Sequence, residues 1–356
     1  MQTVKDIEKF VNNKVVFCGV DVHKKNWNLC FYCDGQVIEK CCIQGNWTIL
    51  IRHTKRKYAS ARSVQFVYEA GFSGFHLYRK LIQSGYDCMI TPPNKVPRSG
   101  DKVKTDRRDA EKLARYHAGN LLKSIYVPPQ SVESDRRILR MRHGTQKKIV
   151  RVKNQIKSHL FVNGMIWPSE QGNRWTKRYM AWLSEQCFEE STDRFILNEF
   201  LEEYEYLRSH LASLTRRIRG LSRKEAYRPH YERLFSCRGV GLITAMTFLL
   251  ELYDIQRFPS EKKLSGYLGM TPSQFSSGDK VRLGHITREG NAHVRRVLIE
   301  SAWTVIRHDP VLGDKYRRIR AKGSNGKKAI VAVARSLAVR MRACLLKEEP
   351  YAMDVC

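Results

Sequence analysis

The chain has 356 residues, 42% of them hydrophobic and 10% aromatic, which is enough to bury real cores and excludes a wholly disordered polypeptide. Its 64 Lys and Arg outweigh 35 Asp and Glu to give a formal charge of +29, a self-repulsion that a polyanion relieves, so nucleic acid is the expected partner. No run of about 18 apolar residues is present to span a membrane. The first residues also lack the apolar core of a signal peptide, so a cytoplasmic protein with its ten cysteines reduced is expected.

Residues 14–128 read as an α/β domain. Lys14–Val20 is a short apolar strand ending in Asp21, and Trp27–Cys33 and Gln36–Ile43 alternate around Asp34-Gly35, the signature of a hairpin turn. Cys30-x-x-Cys33 followed by the adjacent pair Cys41-Cys42 lacks four-ligand zinc spacing, and these cysteines read as small strand residues. Val64–Tyr68 is a strand ending at Glu69. A helical pattern runs through Phe75, Leu77, Leu81 and Ile82 to Gly85, and Cys88–Ile90 is a strand stopped by Pro92-Pro93. Thr105 is placed to cap a helix from Asp106 to His117, with Ala110, Leu113 and Ala114 on its inner side. Together these predict a mixed sheet flanked by helices.

Residues 129–228 change to long helices. Leu197, Phe200, Tyr204, Leu207, Leu211, Leu214, Ile218 and Leu221 alternate steps of three and four, the seam of a coiled coil, and Ile138, Met141, Thr145, Ile149, Val152 and Ile156 step similarly. Residues 136–157 hold nine Lys/Arg and no acid, while residues 185–205 hold eight acids against Arg194 alone. That division fits an antiparallel hairpin of mutually attracting arms, a basic arm lying on phosphates, or a seam joining two subunits. Residues 229–347 read as a third, mainly helical domain, and 348–356 as a tail. Gly239 and Gly241 precede a helix in the pattern of a helix-hairpin-helix, whose open backbone amides hold a phosphate. Residues 280–347 carry 17 Lys/Arg against four acids, and the basic loop from Gly323 to Lys328 lacks P-loop spacing, which excludes that mode of nucleotide binding.

Two constellations carry chemistry. Asp21 and Glu69 end strands, where an open sheet lines its ligand crevice, and Asp106 and Asp109 share one helical face. Each carboxylate pair at 4 Å would repel by about 4 kcal/mol at an effective dielectric near 20, so protonation or divalent cations must relieve a converged cluster. Hard oxygen ligands favour Mg2+, with Mn2+ as a substitute, and two such ions clamp a phosphodiester. The second constellation runs from Gly269 to Gly284, a Ser-Gly loop with Lys280 and Arg282 close behind. A serine there attacking phosphorus would form a phosphoserine and conserve the bond energy for rejoining; from the residues alone, an ordinary polar turn fits as well.

These residues resemble the Piv-type DEDD transposases of insertion sequences, the RNA-guided bridge recombinases. The resemblance lies in Gly19-Val-Asp21-Val-His-Lys, in Tyr68-Glu-Ala-Gly71, in Lys104-Thr-Asp106-Arg-Arg-Asp109, in Gly239-Val-Gly241, in Gly269-Met-Thr-Pro272, in Ser277-Gly278 and in Gly290-Asn-x-x-x-Arg295. It covers residues 14 to 345, nearly the whole chain. It implies a RuvC-like, RNase H-type N-terminal domain, a coiled-coil connection and a C-terminal transposase domain with a helix-hairpin-helix. By it, Asp21, Glu69, Asp106 and Asp109 are the metal ligands, Ser277 is the nucleophile, and the domains build a composite site within a homo-oligomer. It further implies that a noncoding guide RNA pairs with donor and target DNA. Arg238 stands where relatives commonly have Pro. Ser276 neighbours Ser277, which is preferred because it directly precedes Gly278 and keeps the family's distance from Pro272.

The expected nucleic-acid contacts beside these motifs are Lys104, Arg107, Arg108, Gly239, Gly241, Lys280, Arg282, Arg295, Arg296, Lys327 and Lys328. The rival readings are a RuvC-type Holliday-junction nuclease that uses water and leaves free ends, and a non-catalytic RNA–DNA scaffold indifferent to divalent metal.

Overall fold

The computed structural model describes residues 4–97, 106–168, 170, 172–277 and 280–351. Two compact units divide between Val127 and Pro128.

The N-terminal unit runs α1 (Val4–Val11), β1 (Val15–Val22), β2 (Asn26–Cys33), β3 (Gln36–Gln44), α2 (Trp47–Lys57), β4 (Ser63–Glu69), α3 (His76–Gln83), β5 (Asp87–Thr91) and α4 (Asp106–Ala118). The strands form one mixed sheet in the order β3-β2-β1-β4-β5, with β1, β4 and β5 parallel and β2 antiparallel to both neighbours. The Asp34-Gly35 turn takes positive φ at both residues, 47° and 81°, as a two-residue hairpin demands. Strand periodicity splits the sheet into two faces. Val16, Cys18, Val20, Leu29, Phe31, Val64, Phe66 and Tyr68 pack on one side with Ile7, Val11, Leu50, Ile51, Leu77 and Leu81 from α1, α2 and α3. Cys30 and Val67 face the other side, where Ala110, Leu113 and Ala114 of α4 cover them.

Helix α2 falls where the sequence pattern gave no element, because Thr48, Ile49 and Ile51 favour strands. What decides it is burial of Leu50, Ile51 and Thr54 and the Asn46 cap, whose side chain accepts from the Thr48 amide at 2.8 Å.

The C-terminal unit is mainly helical: α5 (Gln130–Val162), α6 (Lys177–Glu185), α7 (Ser191–Ser222), α8 (Arg228–Phe235), α9 (Leu242–Leu252), α10 (Glu261–Tyr267), strands β6 (Pro272–Ser277) and β7 (Lys280–Ile286), then α11 (Ala292–His308), α12 (Pro310–Ala321) and α13 (Gly326–Lys347). Helices α5 and α7 lie antiparallel. Near one end of the pair His159 Nε2 bonds the Asp193 carbonyl at 2.9 Å, and near the other Arg142 donates to Thr215 at 2.9 Å. Ile149, Val152, Ile156 and Leu160 of α5 form one core with Leu197, Tyr204 and Leu207 of α7, closed by Trp167 and Tyr179 edge to face at 5.1 Å. Met141 leaves the expected seam, 54% exposed, and Leu139 is buried in its place. A second core joins Ile218 and Leu221 of α7 to Leu234, Phe248, Leu298, Val305, Leu337 and Met341 of the helices that follow. Among the described residues no helix is long and apolar enough to cross a membrane.

Candidate active site

Two periodicities bring the N-terminal acids together. Gly19, Asp21, Val67 and Glu69 belong to the sheet face that α4 covers, because side chains alternate along a strand. β1 and β4 run parallel with Val20 opposite Tyr68, so Asp21 and Glu69 are neighbours at the carboxyl ends of adjacent strands. On α4, Asp109 precedes the buried Ala110 and lies one turn before Leu113, which packs on Val67. The helix reaches this position because residue 19 has no side chain. A Cβ there would sit 2.0 Å from the Ala110 carbonyl oxygen and 2.7 Å from the Ala114 amide nitrogen.

The result is a cleft of about 210 Å³ lined by Asp21, His23, Glu69, Phe72, Asp109 and Leu113, among others. His23 Nε2 lies 2.9 Å from Asp21 Oδ2, and the exposed ring of Phe72 stands at the rim. Sequence reasoning gave His23 and Phe72 no role. The available signal for His23 was its position two residues beyond Asp21, which returns it to the same side of the chain. Asp106 opens α4, but its side chain and that of Arg107 lie outside the described residues, as does Lys104 entirely; Arg108 is exposed. Three carboxylates line one small cleft without their oxygens all lying within 4.8 Å of one another; they are hard oxygen donors, the chemistry that suits a divalent cation.

In the C-terminal unit, the segment read as a Ser-Gly loop is a strand pair. Ser277 ends β6 and pairs in register with Lys280, with Gly278 and Asp279 outside the described residues. β6 opens on Pro272 and is otherwise mostly Ser and Gln, which also suit turns, so its pairing with β7 was not legible. The side chains of Ser276, Ser277 and Lys280 are not described, and Arg282 is exposed.

The base of this hairpin is firmly held. The Thr287 amide donates to the Thr271 carbonyl at 2.9 Å and the Asn291 amide to the Tyr267 carbonyl at 3.1 Å. Arg295 donates to the Leu268 carbonyl at 2.9 Å, and burial lowers its pKa, with Arg288 adding to the effect. The Asn291 side chain caps α11 and donates to Glu251 at 2.9 Å. Glu251, 2% exposed, also takes two bonds from Arg140 at 2.8 and 2.9 Å. Burial pushes its carboxyl up, but the bond and charge of Arg140, the Asn291 bond and the charge of Arg136 outweigh this and leave it below the ordinary value.

Gly239 has φ +84°, and a Cβ there would meet the Val305 amide nitrogen at 2.9 Å, so the turn packs tightly on α11. Gly241 meets nothing within 4 Å and stands at the N-terminus of α9. Arg296 pairs with Glu300 at 3.2 Å, and Lys327 and Lys328 are exposed in the first turn of α13.

Among the described residues, a close group of mixed metal-ligating atoms lies elsewhere, at Glu39, Cys41 and His53, whose donor atoms all fall within 4.8 Å of one another. Burial raises the Glu39 carboxyl, but hydrogen bonds from His53 and Lys57, with that of Tyr58, hold it at about 2.

Comparison with known proteins returns two family models. One, described as the transposase IS116/IS110/IS902 family, matches residues 231–317; the other, a DEDD transposase model of the IS110 type described as Transposase, matches residues 18–162. A putative transposase, y4qE, of Sinorhizobium fredii is 32% identical over 317 residues, covering 81% of this chain and 76% of its own. The transposase for insertion sequence element IS1533 of Leptospira borgpetersenii is 27% identical over 343 residues, 92% and 94% of the two chains. That for IS1111A of Coxiella burnetii is 25% identical over 346 residues, 94% and 90%.

Proposed function

The chain belongs to the IS110-type family of DEDD transposases, and from that premise we propose that it cuts and rejoins DNA strands through a phosphoserine at Ser277, guided by a noncoding RNA. The observation that carries this reading is the convergence of Asp21, Glu69 and Asp109 on one cleft at the strand ends. The sheet order β3-β2-β1-β4-β5 with β2 antiparallel supports an RNase H-type, RuvC-like domain. The turn at Gly239 and Gly241 between α8 and α9 supports a helix-hairpin-helix, and the α5–α7 pair supports a coiled-coil connection between residues 129 and 228.

In this reading Asp21, Glu69, Asp106 and Asp109 hold Mg2+, or Mn2+ in its place, which when bound would neutralise charge on the scissile phosphate. Ser277 Oγ attacks phosphorus and gives up its proton to a neighbouring base. The Oγ–P bond forms as the bond to the leaving sugar oxygen breaks, and that oxygen takes up a proton. Attack by another strand's hydroxyl reverses the step and releases the serine, so no external energy source is needed. His23 positions Asp21 through the 2.9 Å contact. The charge of +29 supports simultaneous engagement of donor DNA, target DNA and RNA within a homo-oligomer.

The test is strand cleavage by Ser277→Ala and Asp109→Asn, with sequencing of RNA that copurifies with the full chain. Both variants are expected to lose cleavage while the same defined noncoding transcript copurifies. Normal cleavage by Ser277→Ala with free nicked ends would instead establish a water-using junction nuclease. Metal-independent binding with no cleavage by the natural chain would establish a scaffold.

A further inference from the structure

We propose that Glu39, Cys41 and His53 form a zinc site, separate from the acidic cleft, that staples the edge strand β3 to helix α2. Glu39 and Cys41 are two apart on β3 and so share a face, while Lys40 between them turns to the other side and pairs with Glu111 of α4. His53 projects from α2 onto that shared face. Its Nε2 lies 3.7 Å from Cys41 Sγ and 2.9 Å from Glu39 Oε2. A tetrahedral zinc with ordinary bond lengths separates sulfur from nitrogen by about 3.6 Å and nitrogen from oxygen by about 3.4 Å. Both measured separations therefore match edges of such a polyhedron to within about half an ångström.

The surroundings suit the ion. The His53 and Glu39 side chains are 12% and 14% exposed, so the site is screened but open to entry from solvent. Lys57 engages Glu39 Oε1, which leaves Oε2, the oxygen that His53 and Tyr58 share, as the donor atom. Phe31 lies against His53 at 5.7 Å and orients the ring. One sulfur, one imidazole nitrogen and one carboxylate oxygen are a borderline-soft set that selects zinc over Mg2+. Three protein ligands leave a fourth position for water. Binding displaces the Cys41 thiol proton to solvent, and His53 ligates as neutral imidazole through the Nε2 lone pair with its one ring proton on Nδ1. An edge strand is the part of a sheet most in need of such a fastening.

The experiment titrates the full chain with Zn2+ and with Co2+, whose thiolate charge-transfer band reports a sulfur ligand. The natural chain and Asp21→Asn are expected to bind one equivalent with that band. Cys41→Ser and His53→Gln should each weaken binding at least about 100-fold, since loss of a ligand exceeds the 10–100-fold effect of losing an outer-shell partner. The neighbouring Cys42→Ser should bind normally. The band is read on the natural sequence, so its presence does not depend on how a variant folds. Absence of the band in the natural chain, undiminished binding by Cys41→Ser, or loss of the band in Cys42→Ser would show that Glu39, His53, Lys57 and Tyr58 are an ion-pair network only.

Discussion

Asp21, Glu69 and Asp109 hang from a five-stranded sheet and from a helix packed against it backbone to backbone, whereas Ser277 ends one strand of a two-stranded hairpin. A two-stranded pair is marginal on its own. Its order comes from the base, where Asn291, Arg295 and the buried Glu251 fasten the flanking segments. The acids are placed by a core and the serine by a polar network. Substitutions that damage one placement and spare the other separate the two.

The largest effect is expected from the proposed metal ligand and the proposed nucleophile. Asp21→Asn and Ser277→Ala should each lower strand cleavage by about 10³-fold or more, on the scale of losing a preorganised transition-state contact. Only Asp21→Asn should also weaken Mn2+ binding measured by paramagnetic resonance. Equal loss of Mn2+ by Ser277→Ala would erase the distinction between the two regions.

Next comes the support of the hairpin. Glu251→Gln removes the carboxylate from the buried Arg136 and the half-exposed Arg140, a loss of about 1–3 kcal/mol once solvent screening of Arg140 is allowed for. Calorimetry should show the C-terminal unit melting lower, by roughly 2–4 °C for each kcal/mol, with the N-terminal unit unchanged. An unshifted transition would mean that the network does not hold the hairpin's base.

Gly19→Ala probes the other placement. Its Cβ would collide with the Ala110 carbonyl, so overpacking should cost about 1–3 kcal/mol. Displacing α4 by about 1 Å should lower cleavage by about 10²-fold. Full activity and stability in this variant would show that the close approach is not needed to position Asp109.

The smallest effect, because solvent screens the partly exposed His143, is a pH dependence in the C-terminal unit. Burial, followed by the charges of Arg296, Lys147, His293 and Arg142, lowers His143 to about 4 from an ordinary 6.5. The unfolded chain then binds the proton more readily, so this contribution is complete above pH 6.5 and is lost as pH falls toward 4. His143→Gln should flatten the stability profile across that window; an unchanged slope would assign it to other groups.

Much of the cleft was legible because its geometry follows from two short periods. Asp21 and Glu69 end apolar strands, and Asp109 sits beside the Ala110, Leu113 and Ala114 stripe that packs on the sheet. Phe72 was not, since nothing in its local pattern marks a role, and His23 carried only its spacing of two from Asp21; the two share a cleft only once β1 and the segment after β4 adjoin it. Helix α2 was hidden by its β-branched residues, and with it the approach of His53 to Glu39 and Cys41. The β6–β7 pairing was hidden for the opposite reason, since the Ser- and Gln-rich β6 reads as a turn and only its register against Val281, Leu283 and Ile286 of β7 declares a strand. Long-range pairing of weak formers is decided by tertiary context, which a local pattern does not carry.

The most direct measurement is mass spectrometry of peptides from the protein crosslinked to its DNA during strand exchange. A nucleotide adduct on the Ser277 hydroxyl, formed with Mg2+ and absent from Asp21→Asn, is the expected result. An adduct on another residue, or complete strand exchange with none at all, would contradict it.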